Sequence, residues 1–375
     1  EFFFVDMKKR EMYLNIENYI VMIGIYGLGN IGLSLLAYLN KKHNQKIIAF
    51  TNNPKNLGLT TIFSIDKIEH TLIKDKDFYI TNNLEEFLAL TRDIFITSIT
   101  TYYEEIASKL IKAKNFNPKF HNIILFSSKL GGILVFKKIF NDNNIFDLNI
   151  IETDALFAAR KIEENKIWVR GIKRWNLMIT ANDYLQSNPD LEIYKILRNY
   201  FINDIDLEVA DNFIQRGLTD FGALAHPVIS IINLANIDNK KDILFYQEGI
   251  TPNTVILIEN LYKEFNSLAN AFNTNIIEPK ELLYRYYTCD KSDLLTAIKT
   301  VANYRYTKLP TDIFNRFLYE DTLNTLVPAY LIAKTLNLNL NLTFSIINII
   351  GNLFKIDPIE KGRNLSKLGL NLKIL

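Results

Sequence analysis

Three glycines, Gly27, Gly29 and Gly32, fall within six residues of one another. The run Gly27-Leu28-Gly29-Asn30-Ile31-Gly32 fits G-x-G-x-x-G, with an apolar, β-branched stretch before it and a helical pattern after it. In that setting each glycine has its own task. Gly27 allows the tight turn, Gly29 lets backbone approach a pyrophosphate, and Gly32 permits close helix–strand packing. A helix beginning near Asn30 would aim free N–H groups at the anion, aided by its dipole. The expected ligand is a dinucleotide; an ordinary tight turn is the alternative. Thr51-Asn52-Asn53 closes the next strand without an acid, and Lys55 follows. A carboxylate there would bond the ribose hydroxyls of NAD. Neutral donors with a lysine suit a 2′-phosphate better, which favours NADP and keeps NAD as the alternative.

The elements around this turn alternate. Residues 19–26 (YIVMIGIY) read as a strand and 33–40 as a helix, with further strands at 46–51, 78–81, 93–99, 122–127 and 148–153. Helical periodicity covers 85–90 and 103–111. Such alternation implies a parallel sheet with helices on both faces. Residues 158–180 read as a basic meander containing Trp168 and Trp175, both assigned to packing. Beyond about 191 the apolar residues recur at three- and four-residue spacing, as in 254–272 and 294–304. The expected organisation is an α/β dinucleotide-binding Rossmann domain over 19–200 followed by an all-α domain over 201–375.

The chain has 375 residues, 48% of them hydrophobic, which suits two domains with a core each. With 43 Lys+Arg against 41 Asp+Glu, the net charge of +2 offers no field for nucleic acid or anionic membrane. One cysteine, Cys289, leaves no intramolecular disulfide and fits a reducing, cytoplasmic setting. The four histidines are scattered without metal-ligand spacing, so no metal is expected. Residues 18–40 lack charge, long enough to suggest a membrane span of about 20 residues. The clustered glycines mark a turn between two short elements instead. Residues 1–17 show no cleavable-signal layout. Met7, Met12 and Met22 are each candidate starts, and little contribution to the core is expected from this segment.

The carboxyl half adds a second constellation, GALAHP at 222–227, FYQEGITP at 245–252, RFLYEDTLNTLVP at 316–328 and GRNLSKLG at 362–369. In this order after the glycine turn, they resemble the octopine/nopaline dehydrogenases, the opine dehydrogenase family, over nearly the whole chain from Val21. The resemblance implies an oxidoreductase that joins an amino acid to a 2-oxo acid and reduces the imine with NAD(P)H, the helical domain closing over the Rossmann unit. It also implies His226 as catalytic acid/base, Asp321 as its partner, and Arg316 reaching the cofactor pyrophosphate. The stretch IETDALFAAR at 151–160 resembles the family's Glu-Thr segment without its proline, making Thr153 a substrate-binding candidate. A homodimer is compatible with this reading.

Those residue types also suit the chemistry. Imidazole titrates near neutrality, and a carboxylate on its second nitrogen fixes the tautomer. Arginine offers a permanently charged fork for phosphate. Plainer readings stand beside these: a core histidine bonded to a backbone carbonyl, and Asp321 as a first-turn helix acid or the ion-pair partner of Arg316. Tyr304 and Tyr306 could face a substrate, though an aromatic in a helical domain is more often core. Two further functions fit the same plan, a hydroxy-acid reductase resembling ketopantoate reductase, expected to use a lysine proton donor, and a non-catalytic dinucleotide-binding module.

Overall fold

The computed structural model describes residues 21–43, 45–52, 59–63 and 68–370. The expectations for residues 1–20, Asn53 and Lys55 lie outside it. Twelve strands occupy the first part of the described chain. They are β1 (Met22–Tyr26), β2 (Ile47–Phe50), β3 (Leu59–Phe63), β4 (Ile68–Leu72), β5 (Tyr79–Thr81) and β6 (Thr91–Ile96). Next come β7 (Asn122–Leu125), β8 (Ile150–Thr153), β9 (Phe157–Glu163), β10 (Lys166–Ile172), β11 (Trp175–Thr180) and β12 (Asp206–Val209).

Eight of them form one sheet in the order β12-β11-β8-β7-β6-β1-β2-β5. All its pairings are parallel except β8 with β11. The central strands are buried on both faces, as their apolar composition requires. Side-chain alternation sends Ile23, Ile25, Phe95 and Ile124 into one core. Met22, Tyr26, Ile96 and Leu125 enter another. That second core continues without a break into the helical part, through Leu224, Ile258, Leu261 and Ile347.

Three details differ from the sequence reading. The last strand of the sheet, β12, lies beyond the expected boundary at 200, so helices take over only from Phe213. The meander divides: β9 and β10 join β3 and β4 in a second sheet of order β4-β3-β10-β9, whereas β11 returns to the first. The β3–β4 hairpin carries little apolar periodicity, which is why its sequence suggests no strand. The uncharged 18–40 run is broken as expected, with β1 ending at Tyr26 and a helix spanning Asn30–Lys42. Among the described residues no single helix is long and apolar enough to cross a membrane.

The helices that hold the site are fixed by their caps. Asp220 caps the helix Phe221–Ile232, its Oδ1 accepting from Gly222 N at 2.8 Å. Asn315 caps Arg316–Asp321. After Asp321 the chain makes a π-helical turn, Thr322–Leu326, before resuming as Val327–Thr335. Such turns insert a residue into the helical repeat and re-aim the side chains on either side.

Candidate active site

Gly27, with φ of 106°, turns the chain out of β1 in a conformation that favours glycine. A Cβ on Gly32 would stand 2.0 Å from the Gly27 carbonyl oxygen, so helix and turn pack at backbone contact. A Cβ on Gly29 would meet nothing within 4 Å. The helix Asn30–Lys42 has no side-chain cap and no acid in its first turn. Open space, exposed N–H groups and a positive dipole end together fit a pyrophosphate. Leu28, Asn30 and Ile31 complete the turn, and Asn30 Oδ1 accepts from Lys161 N at 3.2 Å. Thr51 N donates to Thr81 O at 3.0 Å at the end of β2, and Asn52 beside it is exposed.

The chain runs from β1 outward to β2 and β5, then returns to β6 on the other side. This reversal is the switch point where open α/β sheets bind ligands at the carboxyl ends of their strands. Gly27, Thr97, Ser127 and Asp154 follow β1, β6, β7 and β8, which are parallel neighbours, and therefore lie along that edge. Ser127 and Asp154 also line a cleft whose opposite wall carries His226, Tyr246, Arg316 and Asp321.

His226 and Asp321, 95 positions apart in sequence, meet in this cleft. Nδ1 of the imidazole lies 2.8 Å from Asp321 Oδ2. Nε2 lies 2.9 Å from the Tyr246 hydroxyl. An ionised carboxylate only accepts, so Nδ1 carries the proton; in the neutral ring Nε2 then accepts from Tyr246. Among the described residues, neither ring nitrogen bonds a backbone carbonyl. Phe317 stacks on the imidazole at 4.1 Å between centroids. One turn earlier, a Cβ on Gly222 would approach His226 Cε1 to 2.9 Å, so glycine there makes room for the ring.

Asp321 has a second partner. Lys129 Nζ reaches its Oδ1 at 2.5 Å and Asp220 Oδ2 at 2.7 Å. Burial alone would raise the Asp321 carboxyl, yet Lys129 and then His226 hold it well below the usual carboxylate range. Burial likewise disfavours the Lys129 cation, and Asp220 and Asp321 reverse this, keeping the ammonium protonated. The neighbouring Glu320 goes the other way, its carboxyl raised chiefly by burial.

Arg316 lines the cleft, exposed, and among the described residues makes no ion pair with Asp321 or any other acid. Thr153 is a correction. It is fully buried in β8 and its hydroxyl donates to Leu177 O at 2.9 Å, so it does not reach the cleft. Strand alternation gives that place to the next residue, Asp154, which pairs with Lys173 at 2.5 Å. Tyr304 is buried but faces the cleft, stacked on Tyr246 at 3.9 Å, rather than serving the core alone.

Sequence reasoning missed Lys129, Tyr246 and Asp220. Tyr246 lies inside the FYQEGITP element, and Asp220 immediately precedes the helix of His226, where an N-cap acid is the signal. Lys129 follows β7 in the run Ser-Ser-Lys-Leu-Gly-Gly with a positive φ of 56°, and no periodicity marks it.

Residues 209–354 match the family model described as the α-helical domain of NAD/NADP octopine/nopaline dehydrogenase. The chain is 28% identical over 251 residues to an opine dehydrogenase of Arthrobacter sp. (strain 1C), covering 66% of this chain and 68% of that protein. Its fold matches a solved octopine dehydrogenase, with NADH and L-arginine, at a TM-score of 0.71 and 18% identity, over 94% of this chain and 96% of that one. It matches yersinopine dehydrogenase at 0.73 and 12% identity, over 94% and 98%. The protein is thus a nicotinamide-dinucleotide-dependent oxidoreductase, with an α/β Rossmann part followed by a helical domain. Its residues 209–354 are similar to the helical domain of the octopine/nopaline dehydrogenases, and its whole fold is similar to that of solved opine dehydrogenases.

Proposed function

We propose that the protein catalyses the NAD(P)H-dependent reductive condensation of an amino acid with a 2-oxo acid through an imine. The observation that carries this reading is the Asp321–His226–Tyr246 chain of hydrogen bonds, set in a cleft between the helical wall and the carboxyl edge of the sheet. Solved structures of octopine dehydrogenase hold L-arginine in one case and pyruvate in another, an amino acid and a 2-oxo acid, which supports it.

In this reading the residues 27–32 and Arg316 hold the cofactor's pyrophosphate, with Thr51 and Asn52 near its ribose. When bound, the nicotinamide supplies the hydride that reduces the imine carbon. His226 manages the protons. Through Nε2, relayed by the Tyr246 hydroxyl or directly after that hydroxyl swings aside, it takes one proton from the substrate ammonium. The freed amine adds to the carbonyl carbon, and a proton passes from the new ammonium nitrogen to the alkoxide oxygen. His226 then returns its proton to that hydroxyl, which departs as water and leaves the protonated imine. Asp321 stabilises the imidazolium between these steps, and Lys129 holds Asp321 in place.

A second reading is favoured by one observation, the presence of Lys129 in the cleft. Its protonated ammonium would suit a proton donor in the reduction of a 2-oxo acid to a hydroxy acid. Incubation with NADPH or NADH and pools of amino and oxo acids separates the two. Condensation requires cofactor oxidation that depends on both substrates and yields a secondary amine by mass spectrometry. Oxidation with the oxo acid alone would overturn it in favour of the second reading.

A further inference from the structure

We propose that Arg170 is a carboxylate anchor of the substrate pocket, selecting substrates that present an acid group on the Tyr246 side of the cleft. The inference rests on the reading of the cleft as the substrate site and adds the chemical feature its ligand must carry.

Strand β10 alternates, with Ile167 and Val169 buried on one face and Trp168 and Arg170 on the other. Arg170 lines the same cleft as His226. Its Nη1 donates to Thr307 Oγ1 at 2.8 Å, while Nε is buried without a hydrogen-bond partner. The other basic groups deep in the cleft are matched by acids: Lys129 by Asp220 and Asp321, Lys173 by Asp154. Among the described residues no carboxylate pairs with Arg170. Its surroundings are the phenols of Tyr246, Tyr287 and Tyr304 and a second cation, Arg160. Arg160 comes from β9, where it stands in register with Trp168, and lies over that indole at 5.2 Å.

Arg170 is half-buried, and a partly desolvated guanidinium with its Nε buried and no counter-ion is less favourable than one whose charge a ligand matches. Its planar fork, held by Thr307 at one nitrogen with Nε free, matches a carboxylate. Burial, followed by Arg160, weakens its hold on the proton, as expected for a cation short of counter-charge. The side of the cleft argues for substrate over cofactor. Tyr246, one of the phenols around Arg170, carries the hydroxyl bonded to His226 Nε2, so an acid held here lies beside the reacting end.

The test titrates pyruvate, 2-oxoglutarate and L-alanine, and the methyl ester of each, into the protein saturated with NADP+ or NAD+, read by calorimetry. The wild type should bind at least one free acid saturably and its ester far more weakly. Arg170→Gln should weaken that acid roughly ten- to a hundredfold, the range of a hydrogen bond to a charged group, and leave ester and cofactor affinities unchanged. Arg170→Lys should restore part of the loss. The acid that responds tells whether the anchor serves the oxo acid or the amino acid. Absence of saturable acid binding to the wild type, or an unchanged acid-to-ester ratio in Arg170→Gln, overturns the proposal. So does a parallel loss of cofactor affinity, which would make Arg170 a cofactor ligand. An acid-selective Arg170 in a protein that never couples two substrates would leave the anchor standing and remove the condensation reading.

Discussion

Lys129 and Asp321 are joined at 2.5 Å across the two parts of the chain, one from the loop after β7 and the other from the end of a helix. Because Asp321 also binds His226, the α/β part orients the imidazole through a single carboxylate. Lys129→Met would leave Asp220 and Asp321 buried without their cation. Breaking a buried pair in this way costs roughly 3–5 kcal/mol, to be read as a lowered urea midpoint. A loss within the range of exposed pairs, below about 1 kcal/mol, would show that water reaches the site and replaces the ammonium.

Replacing His226 by Ala should cut turnover roughly 10²–10⁴-fold and leave the cofactor dissociation constant nearly unchanged. Arg316→Ala should show the opposite pattern, with weaker cofactor binding measured by fluorescence titration. Near-normal turnover in the first variant, or unaltered cofactor affinity in the second, would break the corresponding assignment.

The glycine turn separates packing from binding. Gly32→Ala forces a Cβ against the Gly27 carbonyl oxygen and should lower the melting temperature. Gly29→Ala projects into open space, so its stability should stay within about 0.5 kcal/mol of wild type while cofactor affinity falls. Unimpaired binding by a stable Gly29→Ala protein would place the pyrophosphate elsewhere.

Glu320 and Asp321 are adjacent and shifted in opposite directions. For Glu320 the folded value lies above the unfolded one, so its contribution is most favourable below the unfolded value and is lost as pH rises through the folded value. Glu320→Gln should therefore stabilise the protein at neutral pH, with the gain vanishing below about pH 4. Asp321 behaves conversely: its stabilisation is present above the unfolded value and is lost as pH falls towards the depressed folded one. Denaturation curves of wild type and Glu320→Gln between acid and neutral pH would check the sign.

The glycine turn and the alternation of strands and helices were legible in sequence because they depend on local spacing. Pairing His226 with Asp321 needed the family resemblance, since no periodicity links residues so far apart. Lys129 escaped because a lone lysine after a strand looks like any solvated loop residue until the fold supplies two acids around it. Thr153 was misplaced by a single step of strand alternation, which turns it into the sheet and presents Asp154 instead. The π-helical turn after Asp321 has no sequence signature in residue type.

The apolar interior that runs unbroken from one face of the large sheet into the helices has a thermodynamic consequence. Neither part can melt and leave the other with an intact interior, because Leu125 and Leu261 belong to the same mass of side chains. Heating should produce one transition, with calorimetric and van't Hoff enthalpies in agreement.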